Sequence, residues 1–478
     1  MQTVSKVVCP GCGCCCDDIE LVIENNKIVR AKNACALGAA KFENYYLHRN
    51  TNAYIRRGGV LKRVTLNEAI RKSAEILVEA SYPILYGWSS TSCEAIRVGL
   101  ELAEEIGGVI DNTSTICHGP SILAIQDVGL VGATLGQIRH RADLIIYWGS
   151  NPWSSHPRHM ERYTALSSGR FQKSIWRRLI TRVEAYSARK RLSRVMSLFF
   201  RRGESSSLAD HVKSLRMLPK KERKLIVVDV RKTRSAEMAD FFIQVRPGED
   251  YCLLQALRAL IRDEELDVDE VAGVPVEILE EVANIMINCD FGVLFFGLGL
   301  TMSRGKVRNV EAAIKLVQDL NKRTKFLILP MRGHFNVTGA ETVFTWQTGY
   351  PYAVDFSHGY PWYNPGETSA VDVLRRGDAD AALIVASDPL ASFPREAARN
   401  LSKIPLIVID PSFSLTALVA DVVIPSAFAG IEAEGTIYRM DFVPLPLKKV
   451  VKPPKGCLSD EQILRKILKE VRRLKEKT

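Results

Sequence analysis

The stretches ADLIIYWGSNP (residues 142–152) and ADAALIVASDP (residues 379–389) decide the fold that this sequence predicts. Each is a continuous apolar run that ends in small polar residues. A second apolar run follows in both places and ends in an aspartate, Asp229 after the first stretch and Asp410 after the second. A third short run begins at the same offset from each of these aspartates. The matching order and spacing indicate an internal repeat.

Continuous Ile, Val and Leu runs that alternate with helical stretches are typical of a parallel sheet covered by helices on both faces. The segments PILYGWSS, from Pro83, and FGVLFFGLGL, from Phe291, add further strands. Each of these two segments runs through a turn into an amphipathic helix. The sequence therefore predicts the α/β class, with two homologous doubly wound parallel-sheet domains.

Ligands of doubly wound sheets bind beyond the carboxyl ends of the strands, where small residues let phosphate groups approach backbone amides. Tight turns without a ligand are the alternative interpretation for either copy taken alone. Two matching copies, each with an aspartate after its second strand, favour a large, two-ended nucleotide ligand. The candidate residues for binding it are Gly149, Ser150, Asn151, Asp229, Arg231, Thr233, Gly297, Gly299, Ser387, Asp388 and Asp410.

The chain has 478 residues, 46% of them hydrophobic and 25% charged, which predicts a globular protein with two or three packed cores. Its net charge of +11 is concentrated between Ser167 and Lys224, where 17 Lys and Arg residues stand against four acids. This basic insert, residues 167–224, is interpreted as a surface for an acidic partner, a membrane or RNA, or as a solvated helical excursion. Binding to DNA is not expected.

No apolar run reaches the roughly 18 to 20 residues that a membrane span needs. The first residues, MQTVSKVV, lack the pattern of a secretory signal. The sequence therefore predicts a cytoplasmic protein without a membrane span. Because thiols stay reduced in the cytoplasm, metal binding or catalysis explains the 11 cysteines better than disulfides do.

Five of the cysteines lie close together in CPGCGCCC, and another follows in NACALG. The candidate ligands of a metal centre are Cys9, Cys12, Cys16 and Cys35. This spacing fits zinc poorly, because a zinc ribbon normally offers two C-x2-C pairs. It fits a [4Fe–4S] cluster better, since one tight loop supplies three thiolates and a later residue the fourth. Cys14 and Cys15 are surplus, either as buried bystanders or in exchange with Cys16 as a ligand.

The stretch DNTSTICHGPS, residues 111–121, places Cys117 next to His118. A thiolate beside an imidazole is a nucleophile, a metal ligand or core filler, and a single Cys-His pair is more often structural. The stretch follows a strand–helix unit, so its loop is free to face the ligand side of the sheet. This position favours the functional interpretation.

Together these features resemble the molybdopterin oxidoreductases that bind two pterin guanine dinucleotides. More closely, the chain is similar to the formylmethanofuran dehydrogenase family, in its subunits designated B, over most of the sequence from Val7 to about Asp441. The motifs that carry the resemblance are CPGCGCCCDDIE, NACALGAAKF, STICHGPS, GSNPWSSHPRHM, LIVVDVRKT, FFGLGLTMSRGKVRNVEAAIKLV, PMRGHFNVTG, GYPYAVDFSHGYPWYNPGETSA and ASDPLASFP. The basic insert departs from the family pattern by its length.

The resemblance implies a tungsten or molybdenum centre held by two molybdopterin guanine dinucleotides, with Cys117 as the protein ligand. It implies that His118 relays a proton and that Arg332 supplies positive charge for a carboxylate-like species. Lys41 would lie between the [4Fe–4S] cluster and a pterin. The implied reaction is the reversible two-electron reduction of CO2 to formate, with electrons that arrive through the cluster.

The implied partners are an amidohydrolase subunit that makes N-formylmethanofuran from the formate, a small β-barrel subunit that caps the pterins, and a polyferredoxin-type electron donor. Two alternatives remain. One is a molybdopterin formate dehydrogenase that uses another electron carrier, and the other is a cofactor-free scaffold subunit of a formyltransferase/hydrolase complex. The cluster cysteines and Cys117 argue against the scaffold, since a scaffold needs no reactive thiols.

The predicted domains are an iron–sulfur domain over residues 1–55, an α/β pterin-binding domain over 56–117 and 290–450, a second one over 118–289 that contains the insert, and a C-terminal amphipathic helix over 451–478. Ser459 and Gln462 are predicted to form a capping box at the start of this helix. Its apolar stripe is expected to dock on the body of the protein or on a partner; the stripe consists of Ile463, Ile467, Val471 and Leu474.

Overall fold

The computed structural model describes residues 1–167 and 223–477, so that almost all of the predicted basic insert lies outside the described residues. The chain divides into two compact units. Unit 1 comprises residues 1–129, 300–311 and 330 onward, and unit 2 comprises residues 130–299 and 312–329.

Strands and helices alternate along the described chain. The strands are β1 (Gln2–Val7), β2 (Ile19–Glu24), β3 (Lys27–Lys32), β4 (Ala53–Arg57), β5 (Val60–Val64), β6 (Pro83–Gly87), β7 (Val109–Asn112), β8 (Leu144–Trp148), β9 (Lys224–Asp229), β10 (Phe241–Gln244), β11 (Glu270–Val271), β12 (Val274–Pro275), β13 (Phe291–Phe296), β14 (Lys325–Pro330), β15 (Val354–Asp355), β16 (Trp362–Tyr363), β17 (Ala381–Val385), β18 (Leu406–Ile409), β19 (Val422–Ile424), β20 (Gly435–Tyr438) and β21 (Pro444–Leu447). The helices are α1 (Ala36–Glu43), α2 (Leu66–Glu79), α3 (Cys93–Ile106), α4 (Ser114–Cys117), α5 (Gly119–Val128), α6 (Leu135–Arg141), α7 (Pro152–Ser155), α8 (Pro157–Tyr163), α9 (Arg234–Glu237), α10 (Asp250–Ile261), α11 (Val276–Ile287), α12 (Leu298–Thr301), α13 (Val307–Leu320), α14 (Val337–Thr348), α15 (Ala370–Arg376), α16 (Pro389–Ser392), α17 (Arg395–Leu401), α18 (Leu415–Val419) and α19 (Asp460–Lys475).

The sheet of unit 2 has five strands in the order β10-β9-β8-β13-β14. The pairs β10–β9, β9–β8 and β8–β13 are parallel. Every residue of β8 and β13 is buried, as the continuous apolar runs predict. The predicted parallel-sheet α/β fold is confirmed for this unit.

The larger sheet of unit 1 has the order β16-β15-β7-β6-β17-β18-β19-β4-β5. Its central strands, β7-β6-β17-β18-β19, are parallel, and antiparallel strands extend it on both sides. One face packs against α2, α3, α14 and α19, and the other against α15, α17 and α18. A smaller antiparallel sheet, β1-β2-β3, carries the N-terminal cysteine loop between its first two strands.

The internal repeat is confirmed by the order of the strands, since β10-β9-β8-β13-β14 matches β19-β18-β17-β6-β7 position by position. The aspartates that begin the third runs have the same role in both copies. The Asp240 carboxylate accepts a hydrogen bond from the Leu225 amide (2.8 Å), and the Asp421 carboxylate accepts one from the Leu406 amide (2.9 Å). Each aspartate thus fixes the start of the neighbouring strand.

The two compact units differ from the predicted domains: residues 1–55 and the residues from 451 onward, predicted as separate domains, group with unit 1, and two further stretches are assigned differently. Residues 118–129 group with unit 1, while most of residues 290–329 group with unit 2. The reason is strand pairing, because β13 lies beside β8 over five consecutive residues. The strand–turn–helix pattern of this region occurs in both repeats, so the local sequence does not indicate to which sheet it adds.

The C-terminal helix forms as predicted. Ser459 and Gln462 make the capping box, and Ile463, Ile467 and Val471 are completely buried. The helix packs on α2 and α3, so its apolar stripe docks on the body of unit 1. Across residues 1–167 and 223–477, the structure contains no helix with the length and apolar character that crossing a bilayer requires.

Candidate functional site

The four predicted cluster cysteines lie close together in unit 1. The Cys9 amide donates to the Cys16 carbonyl at 2.9 Å, which closes the cysteine loop. Burial is the main cause that raises the pKa of the Cys9 thiol, and the nearby Cys16, Cys12 and Cys35 raise it further. The influence of Cys35 on Cys9, and the nearness of both sulfurs to Gly38, place Cys35 beside the loop.

Glycines leave room for the sulfur atoms. A methyl group at Gly38 would lie 3.0 Å from the Cys9 sulfur and 3.8 Å from the Cys35 sulfur, and one at Gly11 would lie 3.2 Å from the Cys9 sulfur. Within the part of the chain that the structure describes, no three His, Cys, Asp or Glu side chains are arranged to hold a single metal ion. An iron–sulfur cluster is instead held by separate thiolates around a larger group. Several neighbouring thiols, with glycines beside Cys9 and Cys35, are the donor set that such a group needs.

The two surplus cysteines are buried and have local roles. The Cys15 thiol donates to the Phe335 carbonyl at 3.1 Å, and the Cys15 backbone is left-handed with a φ of 39°. A hydrogen bond with Cys14 lowers the pKa of the Cys12 thiol, while burial raises the pKa of Cys14 itself. These contacts explain Cys14 and Cys15 without making them ligands.

Cys117 and His118 follow one another at the end of α4. Burial raises the pKa of the partly buried Cys117 thiol to about 12, with a further increase from Glu341 and an opposing effect of Arg332. The buried His118 ring lies 3.3 Å from the Met331 carbonyl through Nε2 and 3.1 Å from the Ser121 hydroxyl through Nδ1. Because a carbonyl only accepts, Nε2 carries the proton in the neutral ring and Nδ1 accepts from Ser121.

Arg332 is paired with an acid that the sequence reasoning missed. Its guanidinium forms an ion pair with the Glu341 carboxylate, and both side chains are buried. The Ser114 hydroxyl donates to the other oxygen of Glu341 at 2.9 Å. Burial raises the pKa of Glu341, and the charge of Arg332 opposes that shift. The positive charge predicted at Arg332 is therefore partly compensated by a fixed carboxylate.

One backbone segment, residues 331–335, contacts both the cysteine loop and the Cys117 region. The Met331 carbonyl meets His118, and the Gly333 carbonyl accepts from the Gly13 amide at 2.9 Å. A methyl group at Gly13 would lie 2.3 Å from the Arg332 carbonyl, so this approach requires glycine. We call residues 331–335 the linking segment. The segment contains Arg332. Its direct contacts connect the cysteine loop with His118.

Lys41 lies near Cys9, one of the predicted cluster ligands. Desolvation lowers the pKa of Lys41, and the charges of Asp410 and Cys9 oppose that shift. Its ammonium lies 5.3 Å from the centre of the Phe428 ring. Lys41 is thus close both to a predicted cluster ligand and to the predicted nucleotide-binding residue Asp410.

The turns after the first strand of each repeat have the same conformation. Gly149 in unit 2 and Ala386 in unit 1 are both left-handed, with φ of 54° and 49°. Their amides are used within the sheets, where they donate to Val228 and Ile409. Among the described residues, no acceptor is found for the next two amides of either turn; these belong to Ser150, Asn151, Ser387 and Asp388.

The side chains of these turns fix neighbouring helices. The Asp388 carboxylate accepts from the amide and hydroxyl of Thr416 at the start of α18 (3.0 and 2.6 Å). Asn151 accepts from the Ser235 hydroxyl of α9 at 2.7 Å. Thr233, another predicted binding residue, caps α9 by accepting from the Ala236 amide. These three side chains are therefore committed to the fold.

The predicted glycines of unit 2 allow two turns to approach closely. A methyl group at Gly297 would lie 2.6 Å from the Gly149 carbonyl oxygen, and one at Gly299 would lie 2.6 Å from the Gly149 Cα. The Gly299 amide donates to the Gly149 carbonyl at 2.9 Å. These two glycines serve backbone packing, and their amides are already bonded within the unit.

The aspartates after the second strands are matched in the two units. Asp229 accepts from the Arg231 amide at 3.2 Å, and Asp410 accepts from the Ser412 amide at 2.7 Å. Asp229 also accepts a backbone hydrogen bond from Val230, whereas within the described residues Ser412 is the only protein donor to the Asp410 carboxylate. Burial raises the pKa of Asp229, and it raises that of Asp410 to about 7. The second oxygen of Asp410 can therefore accept a hydrogen bond from a ligand.

The sequence of the chain matches known proteins. The family model described as molybdopterin oxidoreductase matches residues 209–470. The chain is 46% identical to the subunit designated B of the tungsten-containing formylmethanofuran dehydrogenase 2 of Methanocaldococcus jannaschii, over 99% of this chain and 100% of the relative.

Two solved structures share the fold. The formyltransferase/hydrolase complex FhcABCD of Methylorubrum extorquens with methylofuran has a chain that matches with a TM-score of 0.65 at 20% identity, over 89% of this chain and 99% of that one. Acetylene hydratase of Pelobacter acetylenicus matches with a TM-score of 0.67 at 14% identity, over 98% of this chain and 69% of that one. At these identities the likeness concerns the fold alone.

Proposed function

Since the chain belongs to the molybdopterin oxidoreductase family, within its formylmethanofuran dehydrogenase group, we propose that it is the redox subunit that reversibly reduces CO2 to formate. The observation that carries this proposal is the linking segment. Its contacts bring a loop of clustered thiols and the Cys117–His118 pair, with the Arg332–Glu341 pair beside them, into one compact part of unit 1. A redox enzyme needs an electron entry site and a substrate site that are close together.

In this proposal Cys9, Cys12, Cys16 and Cys35 hold a [4Fe–4S] cluster, and Cys117 is the protein ligand of tungsten or molybdenum. Two molybdopterin guanine dinucleotides complete the metal centre. The amides that follow Gly149 and Ala386 and the second oxygen of Asp410 support nucleotide binding. When bound, these groups supply stepwise electron transfer and the exchange of an electron pair with the substrate.

The protein residues bind the substrate and handle its proton. Arg332 offers guanidinium N–H groups to a carboxylate-like species, and Glu341 fixes the orientation of that guanidinium. The Nε2 proton of His118 is held by the Met331 carbonyl, so a proton is exchanged at Nδ1, where the Ser121 hydroxyl lies. Ser121 is therefore a residue of the proposed proton path that the sequence did not indicate.

We further propose that the chain works with other subunits, because its relative is named as a subunit. The proposed partners are an amidohydrolase subunit that uses the formate to make N-formylmethanofuran, a β-barrel subunit that caps the pterins, and a polyferredoxin-type electron donor. In this division of work the present chain makes formate and does not form the amide.

Elemental analysis and electron paramagnetic resonance of the complex, purified without oxygen, test the proposal. Beyond the iron of any iron–sulfur partner subunit, we expect about four irons per copy of this chain, one tungsten or molybdenum, and two guanine dinucleotide pterins. A Cys9→Ser/Cys35→Ser variant should lose iron, whereas substitution of the exposed Cys252 should not. Material that is free of iron and of both metals under these conditions would overturn the proposal.

A further inference from the structure

Helix α18 presents apolar side chains to solvent on unit 1. Leu415 and Leu418 are each 56% exposed, and Phe413 and Val419 are 39% and 41% exposed. The two residues between the leucines are buried, so the apolar side chains form the outer face of the helix. Neighbouring exposed apolar side chains mark interaction sites more often than apolar residues scattered singly over a surface.

The internal repeat provides a direct comparison for this helix. Helix α9 of unit 2 occupies the equivalent place, between the second and third strands of its copy. Asp388 accepts a hydrogen bond from Thr416 in the first turn of α18, and Asn151 accepts one from Ser235 in the first turn of α9. Counted from Asp410 and Asp229, the positions of Phe413, Leu415 and Leu418 correspond to those of Lys232, Arg234 and Glu237, which are also exposed. The fold therefore does not require apolar residues here.

A neighbouring hairpin extends this surface. The Arg56 guanidinium donates to the Leu418 carbonyl at 2.6 Å and to the Gly59 carbonyl at 2.7 Å, so the turn between β4 and β5 lies against α18. The Tyr54 ring packs edge-on to Phe413, with 5.5 Å between the centroids. Arg63 is directly opposite Tyr54 in the sheet and lies on the same face. Two arginines thus stand beside the apolar side chains.

We propose that this α18 surface, formed by Phe413, Leu415, Leu418 and Val419, is the docking site of another protein subunit of the same complex. The partner presents an apolar face flanked by carboxylates, which complement Arg56 and Arg63. A second copy of this chain fits less well, because a two-fold contact through the α18 surface would set arginine against arginine. The inference rests on the proposed function in one respect, namely that the chain works within a complex.

The test replaces the leucines by the residues of the equivalent helix. A Leu415→Arg/Leu418→Glu variant has side chains that α9 carries at the same positions, so we expect it to fold. When it is expressed together with the other subunits, native mass spectrometry of the purified complex should show loss of one subunit or at least tenfold weaker association. Circular dichroism, the midpoint of thermal unfolding and the iron content should match those of the unchanged chain.

A matched control makes the same charge changes elsewhere. Val268 and Ile278 of unit 2 are 54% and 40% exposed, and Val268→Glu/Ile278→Arg should leave the subunit composition unchanged. An Arg63→Glu variant should weaken the association at low salt and reduce its dependence on salt concentration.

If both the Leu415→Arg/Leu418→Glu variant and the Arg63→Glu variant still form a complete complex, the inference is overturned. A change in self-association of the chain, with all other subunits still bound, would also overturn it. Failure of the proposed function would give a different result: the complex with the unchanged chain would lack iron and also lack tungsten or molybdenum.

Discussion

The guanidinium of Arg332 is paired with the carboxylate of Glu341, and both side chains are almost completely buried in unit 1. Removing one partner of a buried pair leaves a buried charge without its counter-charge, which typically costs about 3–5 kcal/mol. We therefore expect Arg332→Met to lower the free energy of unfolding by about that amount. Chemical denaturation of the purified chain measures this change.

The double variant Arg332→Met/Glu341→Gln is the control for this prediction, because it removes both charges. Its loss of stability should be clearly smaller than the sum of the losses in Arg332→Met and Glu341→Gln. Losses that simply add would mean that the two side chains do not act as a pair.

The glycine beside the clustered thiols should be essential for cluster binding. A methyl group in Gly38→Ala would lie 3.0 Å from the Cys9 sulfur, in the space between Cys9 and Cys35. We expect the iron content to fall by half or more and the visible absorbance to fall with it. Gly132→Ala is the matched control, since the nearest atom to its methyl group, on Leu130, is 4.0 Å away. Equal iron in both variants would show that the glycine is not needed.

Substitution of Cys117 should separate the two proposed metal centres. In Cys117→Ala the formation and oxidation of formate should decrease at least a hundredfold, because the protein ligand that tunes the metal is absent. The iron content should remain unchanged, since the cluster cysteines are intact. Formate oxidation with an artificial electron acceptor, together with elemental analysis, measures both quantities. Unchanged activity would remove Cys117 from the proposed site.

The buried Asp111 carboxyl should make stability depend on pH. Burial raises its pKa from the ordinary value of 3.8 to about 7, although the amides of Asn112, Ala353 and Ala370 donate to it. Between these two values the folded chain holds a proton that the unfolded chain has lost. Stability contributed by this group therefore decreases as the pH rises from about 4 to 7, by at most about 1.4 kcal/mol per pH unit.

Urea denaturation across this pH range, with Asp111→Asn as the comparison, tests the sign. The variant should show a weaker decrease of stability with pH than the unchanged chain. Asp410, whose pKa burial also raises to about 7, contributes in the same direction and remains in both proteins. Identical pH profiles would contradict the assignment to Asp111.

The sequence predicted the repeat because its aspartates are fixed by backbone contacts. Asp240 and Asp421 each hold the amide at the start of a neighbouring strand, so their offsets are the same in both copies. The placement of β13 was not predictable in the same way. Which sheet a buried strand joins depends on contacts with residues far away in the sequence, and its local pattern is equally compatible with either sheet.

The candidate site was predictable where residue types are unusual and not where they are ordinary. Clustered cysteines and a Cys117–His118 pair are rare enough to be noticed. Glu341 was missed because a single glutamate in a helical stretch normally indicates an exposed position, and only the buried Arg332 makes it fit inside. Ser121 was missed for a similar reason, since a serine near a histidine is common.

The division of unit 1 into three stretches of sequence affects the order in which the chain folds on the ribosome. The thiols of the cysteine loop and of Cys117 are synthesised early, but the linking segment, which contacts the cysteine loop and His118, follows only after unit 2. Helix α19 comes last and still packs on α2 and α3. We therefore expect the nascent polypeptide to keep these thiols accessible during translation, which leaves time for the proposed iron–sulfur cluster to be inserted at the cysteine loop.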